Sequence, residues 1–341
     1  MRRALEAAAS VLSCGGDALS ACQRAVVELE NAACTNAGGN GPHVSLTTQG
    51  RIETDASVMS GATNAIGCCG AVEGVRNPVT LAVHLLRCQQ SGLHSATDRQ
   101  PPSFLVGRGA LAEAKLANLA TIDYHTEPVH PNALAQHRDH ATKHMLNGSL
   151  DTVGAICLDS AGLAVAAVSS AGIALKRPGR VGHAGCPRMG CCAANSSSTR
   201  PAFAFSATGR GEHIVQGSLL QHMERQMSSM SENRRVLHDA IHEAFQDAKT
   251  SNGDVPVEGG VIGFVSPGNK GSSTKKRRLP SDDGLEFLAA FTTPSMGIGV
   301  YSSADDAPHT EILRASSKGS LAVHVCSVPS QHPRARSRTI R

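Results

Sequence analysis

The sequence predicts an α+β fold in which runs of strands alternate with runs of helices, a pattern compatible with stacked sheets between helical layers. Three observations carry this prediction. Two stretches within residues 1–31 repeat apolar residues at helical spacing. Two apolar runs, Thr152–Leu158 and Leu163–Val168, flank the turn Asp159-Ser160-Ala161-Gly162 and read as a buried hairpin. Two more strand-length apolar runs, 259–265 and 285–293, follow helical stretches between 211 and 249 and read as a pair.

Taken in order, Ala4, Leu5, Ala8, Val11 and Leu12 form the stripe of a first helix. Gly15-Gly16 breaks it, and Asp17 is a good cap for a second helix to about Asn31. Thr35-Asn36-Ala37-Gly38 is a turn. Residues 43–48 and 51–59 alternate around Gln49-Gly50 and predict a hairpin, and 63–72 predicts a third strand. Pro78 starts a helix to about Gln90, with proline in the first turn. Residues 103–106 predict a strand and 110–119 a helix. From about 121 to 149 a mobile linker is expected, its polar part HPNALAQHRDHATKHMLNGS leading into the hairpin. Beyond the hairpin, 202–207 predicts a strand, Thr208 to Glu212 a turn, and 211–249 two helices. The polar run 266–284 is expected to be a disordered loop, and 331–341 a basic disordered tail.

Composition narrows the class without naming it. A chain of 341 residues with 40% hydrophobic content can bury a large core. Aromatics are 3% with no Trp, so that core is built from Ala, Val, Leu and Ile. A net charge of +4 is too mild to imply direct nucleic-acid binding. No apolar run approaches the length of a membrane span, and no signal peptide is expected. The 11 cysteines lack paired C-x-x-C spacing and read as reduced thiols of a cytosolic or nuclear protein. His183, Cys186, Cys191 and Cys192 have no familiar ligand spacing, so no metal is expected.

The chemistry centres on Thr152, which opens a buried strand directly behind the polar stretch. Taken alone, Thr-Val-Gly is simply a β-branched strand start. An alternative use exists. Cutting the Asp151–Thr152 bond would free an α-amine beside the threonine hydroxyl. That amine, with an ordinary pKa of about 7.7–8.0, can take the hydroxyl proton. One residue would then supply both nucleophile and base.

The surrounding residues decide between the two. LDTVGA (150–155), AAVSSAGIALKRPGRVG (166–182) and SATGRGEHIV (206–215) match a known pattern. So do VVELENAACTNAG (26–38), RIETDASVMSG (51–61), GAVEGVRNPVTLA (70–82), SFLVGRGA (103–110), GGVIGFV (259–265) and LEFLAAFTTPSMGIGVYSSAD (285–305). Together, and in this order, they resemble the type 2 asparaginase family of N-terminal nucleophile (Ntn) hydrolases. Within that family the pattern is most similar to the taspases, the threonine aspartases. The resemblance selects the Ntn-hydrolase fold, a four-layer αββα sandwich.

The resemblance also implies roles for individual residues. Residues 1–151 would form an α subunit and 152–341 a β subunit of one composite domain, separated by self-cleavage between Asp151 and Thr152. Thr152 would be the nucleophile, with the Ser170 hydroxyl bonded to it. Thr208 and the following Gly209 would form the oxyanion hole. Gly209 and Gly211 would let the backbone approach closely. Arg180, in Pro178-Gly179-Arg180-Val181-Gly182, would grip the substrate carboxylate as a bidentate fork. Without that context it reads as a solvated loop arginine. Asn36 would lie beside the nucleophile, or else serve only its own Asx-turn. His183 departs from the family. Amino-acid-cleaving members carry an aspartate there to bind a free amine, and losing it suits cutting within a peptide.

The resulting expectation is a threonine endopeptidase, without cofactor, that cuts itself and then proteins after aspartate. The alternatives are an L-asparaginase or isoaspartyl peptidase, and an inactive truncated member. The resemblance implies protein partners among chromatin regulators and transcription factors, and an α/β heterodimer that assembles further. Lys275-Lys276-Arg277-Arg278 reads either as a nuclear import signal or as a solvated charge run, so location is expected in nucleus and cytoplasm. The family also begins with a strand and a glycine-rich turn that this sequence does not show before its first helix. That segment is expected to be lost or left out, with loss of solubility and activity.

Overall fold

The computed structural model describes residues 1–91, 100–143, 152–198, 200–233, 237–266, 284–317 and 319–328. Asp151, the stretch 144–149, the run 267–283 with Lys275–Arg278, and the tail 331–341 were all given roles above and lie outside the described residues.

Two helices open the chain, α1 (Arg2–Ser13) and α2 (Ala18–Glu30). The Asp17 carboxylate accepts the Ser20 N–H at 2.8 Å and caps α2, as expected. Strands β1 (Thr54–Ser60) and β2 (Ile66–Val72) pair antiparallel. Helix α3 (Pro78–Gln90) starts at its proline, and β3 (Phe104–Val106) runs parallel to β2. Helices α4 (Gly107–Leu116) and α5 (Pro131–Lys143) precede the central hairpin, β4 (Val153–Leu158) and β5 (Ala164–Ser170). The second half runs through β6 (Cys191–Ala194), β7 (Ala202–Gly209), α6 (Gly211–Gln216), α7 (Leu219–Asn233) and α8 (Leu237–Ser251). It continues with β8 (Gly259–Ser266), β9 (Leu285–Phe291), the small pair β10 (Ser295–Val300) and β11 (His309–Arg314), and β12 (Ala322–Val328).

These strands form two five-stranded sheets, ordered β3-β2-β1-β5-β4 and β12-β9-β8-β7-β6. The sheets stack through β1, β4 and β5 against β6 and β7. Helices α2 and α3 cover the outer face of the first sheet, and α7 and α8 that of the second. This is the four-layer αββα sandwich. Strand β5 shows why the sequence reads as it does. Ala164, Ala166 and Val168 enter the core shared with the second sheet, while Val165 and Ala167 enter the core under α2 and α3. Successive side chains face opposite ways, so a strand covered on both faces is apolar at nearly every position. Close approach of the sheets depends on Gly154 of β4, where a Cβ would stand 2.0 Å from Ser206 Oγ.

Some expectations need correction. Residues 43–52 form no strand pair. They make only the isolated bridges Leu46↔Ile52 and Thr47↔Lys176, and β1 begins at Thr54 and pairs with β2 and β5. The alternation arises because Val44, Leu46 and Ile52 bury into a small separate cluster with Ala133 and Ala171. That cluster also explains the second correction, since 131–143 of the supposed linker is helix α5. Pro131 starts it, Ala133 is buried, and His137 Nε2 lies 2.9 Å from the Thr47 carbonyl oxygen. Tertiary docking stabilises a helix whose own sequence is polar. Third, 211–251 holds three helices rather than two, because Gly217 and Ser218 (φ +49°) interrupt the run. Strands β6, β10, β11 and β12 were not foreseen.

Candidate active site

The β4–β5 hairpin brings the first two site residues together. Val153 pairs with Ser169, so one further step of the register sets Thr152 opposite Ser170. Thr152 Oγ1 donates to Ser170 Oγ at 3.2 Å, and the same oxygen accepts the Gly172 N–H at 2.9 Å. A hydroxyl oxygen accepting two hydrogen bonds is held in place, and so is the threonine that donates to it. Thr152 stands half-buried in a cleft of about 280 Å³, counting its open mouth. Asn36, Ser170, Arg180, His183, Gly209 and Gly211 also line that cleft.

Asn36 forms no purely local turn. Buried at 3% exposure, its Nδ2 donates to the Gly172 carbonyl at 2.9 Å and to Ser45 Oγ at 3.4 Å. Its Oδ1 is buried and has no hydrogen-bond partner among the described residues. Asn36 thus braces the segment just after Ser170 from a turn far away in sequence.

Arg180 sits on the loop between β5 and β6, and its side chain is only 14% exposed. Its Nε and Nη2 donate to the two oxygens of Glu212 at 2.9 and 2.8 Å. That hydrogen-bonded guanidinium holds the Glu212 carboxyl below its ordinary range. Two buried groups tie the loop to β1. Asp55 accepts N–H bonds from Ala71 at 2.9 Å and Gly182 at 2.8 Å. Lys176 Nζ donates to the Ala171 carbonyl at 2.8 Å and to the Glu53 carbonyl. Burial pushes the Asp55 carboxyl up and the Lys176 ammonium down, and each charge partly offsets that effect on the other.

His183 begins the 3-10 turn His183–Gly185 and is buried. Its Nε2 lies 3.1 Å from the Ala207 carbonyl oxygen, so that nitrogen carries the proton. Burial lowers its pKa to about 4, and the ring is neutral at pH 7. Thr208 is the exception among the expected site residues. It is half-buried on β7 opposite Gly260 and does not line the cleft, whereas the next residue, Gly209 (φ +141°), does. Among the described residues, no cluster of His, Cys, Asp and Glu is gathered to hold a metal.

Sequence reasoning missed Gly172, Ile173 and Gly182 on the cleft wall, and Asp55, Lys176 and Glu212 behind it. Glu212 and Lys176 stand within the motif stretches already quoted. A lysine closing the uncharged stretch 166–175 was the available signal.

Two stacked sheets between helices, with a threonine at the head of a strand and facing a glycine-rich cleft, are the architecture of the Ntn hydrolases. The profile of one family of that class, Asparaginase (Asparaginase_2), matches residues 1–281, and this chain belongs to it. It is 32% identical over 223 residues to the human isoaspartyl peptidase/L-asparaginase, covering 64% of this chain and 66% of the relative. Over 221 residues it is 32% identical to the Macaca fascicularis protein of the same name, with the same coverage of each. It is also 32% identical over 233 residues to the plant-type L-asparaginase of Pyrobaculum calidifontis, covering 66% of this chain and 71% of that one. The chain spans 66% of the length of the first two relatives.

Proposed function

We propose that this chain is a threonine-nucleophile hydrolase that cuts the bond before Thr152 and then hydrolyses peptide bonds after aspartate. The observation that carries this reading is the Thr152 Oγ1–Ser170 Oγ contact of 3.2 Å in a cleft that Arg180 also lines. In the first step Thr152 Oγ attacks the carbonyl carbon of residue 151. The C–N bond breaks, an ester forms, and the nitrogen becomes the α-amine of Thr152. Water then hydrolyses the ester. In later turnovers that amine takes the hydroxyl proton as Oγ attacks the substrate carbonyl and returns it to the leaving nitrogen. Gly209 would stand where the oxyanion develops, with Thr208 behind it.

The endopeptidase form of this reading is supported by charge. Arg180 is a cation on the cleft wall that can take a carboxylate. No carboxylate among the described lining residues is available for a free α-amine, and the His183 ring that stands there is neutral. An aspartyl residue inside a peptide brings a carboxylate and no amine. Its partners would be protein substrates, with nuclear regulators proposed by resemblance. A second reading, isoaspartyl peptidase or L-asparaginase, is favoured by what the relatives are called. The test is mass spectrometry of the purified chain, followed by turnover of an internal Asp peptide, a β-aspartyl dipeptide and free asparagine. Self-cleavage with preferential turnover of the Asp peptide is expected. Preferential turnover of the dipeptide or of asparagine would favour the second reading.

A further inference from the structure

A guanidinium carries five N–H groups on two usable edges. Glu212 takes the side edge of Arg180, through Nε at 2.9 Å and Nη2 at 2.8 Å. The end edge, Nη1 and the second N–H of Nη2, has no acceptor among the described residues. It lies among three glycines that line the cleft. A Cβ on Gly172 or Gly182 would fall 2.9 or 2.8 Å from Nη1, and one on Gly211 would fall 2.8 Å from Nη2. Any other residue at these positions would press on the fork, so the glycines leave its unspent edge open to the cleft. Glu212 itself is 47% exposed and does not line the cleft.

We infer that Glu212 is a positioning residue: it holds the Arg180 fork by its side edge so that the end edge meets the substrate carboxylate. The inference rests on Arg180 reading that carboxylate. An arginine side chain has many rotamers, and a partner that fixes it beforehand removes that ordering cost from substrate binding. Glu212 also balances the arginine's charge, so recognition rests on the direction of the N–H groups more than on net charge.

The experiment is a double-mutant cycle on the self-processed chain, with kinetics on an internal Asp peptide normalised to processed protein. Arg180→Ala, Glu212→Ala, Glu212→Gln and the Arg180→Ala/Glu212→Ala double variant are compared, with thermal unfolding as the check on folding. Glu212→Ala is expected to raise KM about tenfold and leave kcat within about threefold. Glu212→Gln, which keeps one acceptor oxygen, should recover part of that loss. Once Arg180 is gone, Glu212→Ala should add nothing. If Arg180→Ala leaves KM unchanged, carboxylate reading by Arg180 is wrong and this inference falls with it. If Arg180→Ala raises KM but Glu212→Ala does not, only the role of Glu212 is overturned. A lower KM in Glu212→Ala would make Glu212 a competitor of substrate, and an equal effect in both backgrounds would make it merely structural. Where a Glu212 variant does not process, its self-cutting rate is the readout. Loss equal to that of Arg180→Ala supports the pairing, and loss while Arg180→Ala still processes overturns it.

Discussion

Asp55 Oδ2 accepts the Gly182 N–H at 2.8 Å, and this bond ties a central strand to the loop that carries Arg180. Its other oxygen accepts the Ala71 N–H at 2.9 Å, so both oxygens of a fully buried carboxylate are engaged. Asp55→Asn keeps one acceptor and leaves one buried N–H facing an amide nitrogen. The expected cost is about 1–3 kcal/mol of stability, read as a lower urea midpoint. Turnover of Asp peptides should fall as well, because the Arg180 loop loses its anchor. An unchanged midpoint would show that the anchor is dispensable.

The nucleophile gives the simplest prediction. The purified chain should separate into 1–151 and 152–341 without added protease. Thr152→Ala removes the hydroxyl and should leave one uncut chain. Serine at 152 should cut slowly, and Ser170→Ala should slow the cut by loosening Thr152 Oγ1. Intact mass followed over time checks all three.

Specificity should follow the shape of the arginine rather than its charge. Arg180→Lys puts a point charge in place of a fork that Glu212 already aligns. Loss of one charge-assisted contact corresponds to roughly tenfold to a hundredfold in kcat/KM for Asp peptides. Peptides with Asn or Glu in place of Asp should be poor substrates of the wild type. Equal cutting of Asp and Asn peptides would rule out carboxylate recognition here.

His183 should behave as a neutral group. Burial puts its pKa at about 4, so its titration should leave no inflection in kcat/KM between pH 5 and 8. His183→Asp places a carboxylate on the cleft wall. The ratio of β-aspartyl dipeptide to Asp-peptide turnover should then rise by about tenfold to a hundredfold, the worth of one charge-assisted bond. A ratio that does not move would separate residue 183 from amine selection.

Glu30 makes a prediction about stability. Burial raises its carboxyl pKa to about 7, and Oε1 accepts the Val79 N–H at 3.0 Å. Between its ordinary value near 4.5 and about 7, the folded chain holds a proton that the unfolded chain releases. The stability from this site is therefore fully present below about pH 4.5 and falls as pH rises to 7. Glu30→Gln keeps the acceptor and cannot ionise. Relative to wild type it should gain on the order of 3 kcal/mol between pH 4.5 and 8. Urea unfolding of both proteins across that range is the measurement, and a relative loss would contradict the raised carboxyl.

What the sequence determined by itself was local. Asp17 capping α2, Pro78 opening α3 and the Asp159–Gly162 turn are each settled within a few residues, so they were legible in the chain. The apolar run Ala164–Val168 of β5 was legible too, because burial on both faces favours apolar residues at successive positions. Family resemblance supplied the stacking of the sheets, which periodicity could not. Tertiary structure alone decided α5, since a polar helix became stable only where Ala133 met Val44 and Leu46. It also decided that 43–52 pairs with nothing but bridges, and that Asn36 reaches Gly172. The carboxylate on Arg180 comes from Glu212, and the bond that anchors its loop comes from Asp55, far apart in the chain. Those partners are chosen by where packed sheets bring backbone and charge together, and no local signal in the sequence carries that distance.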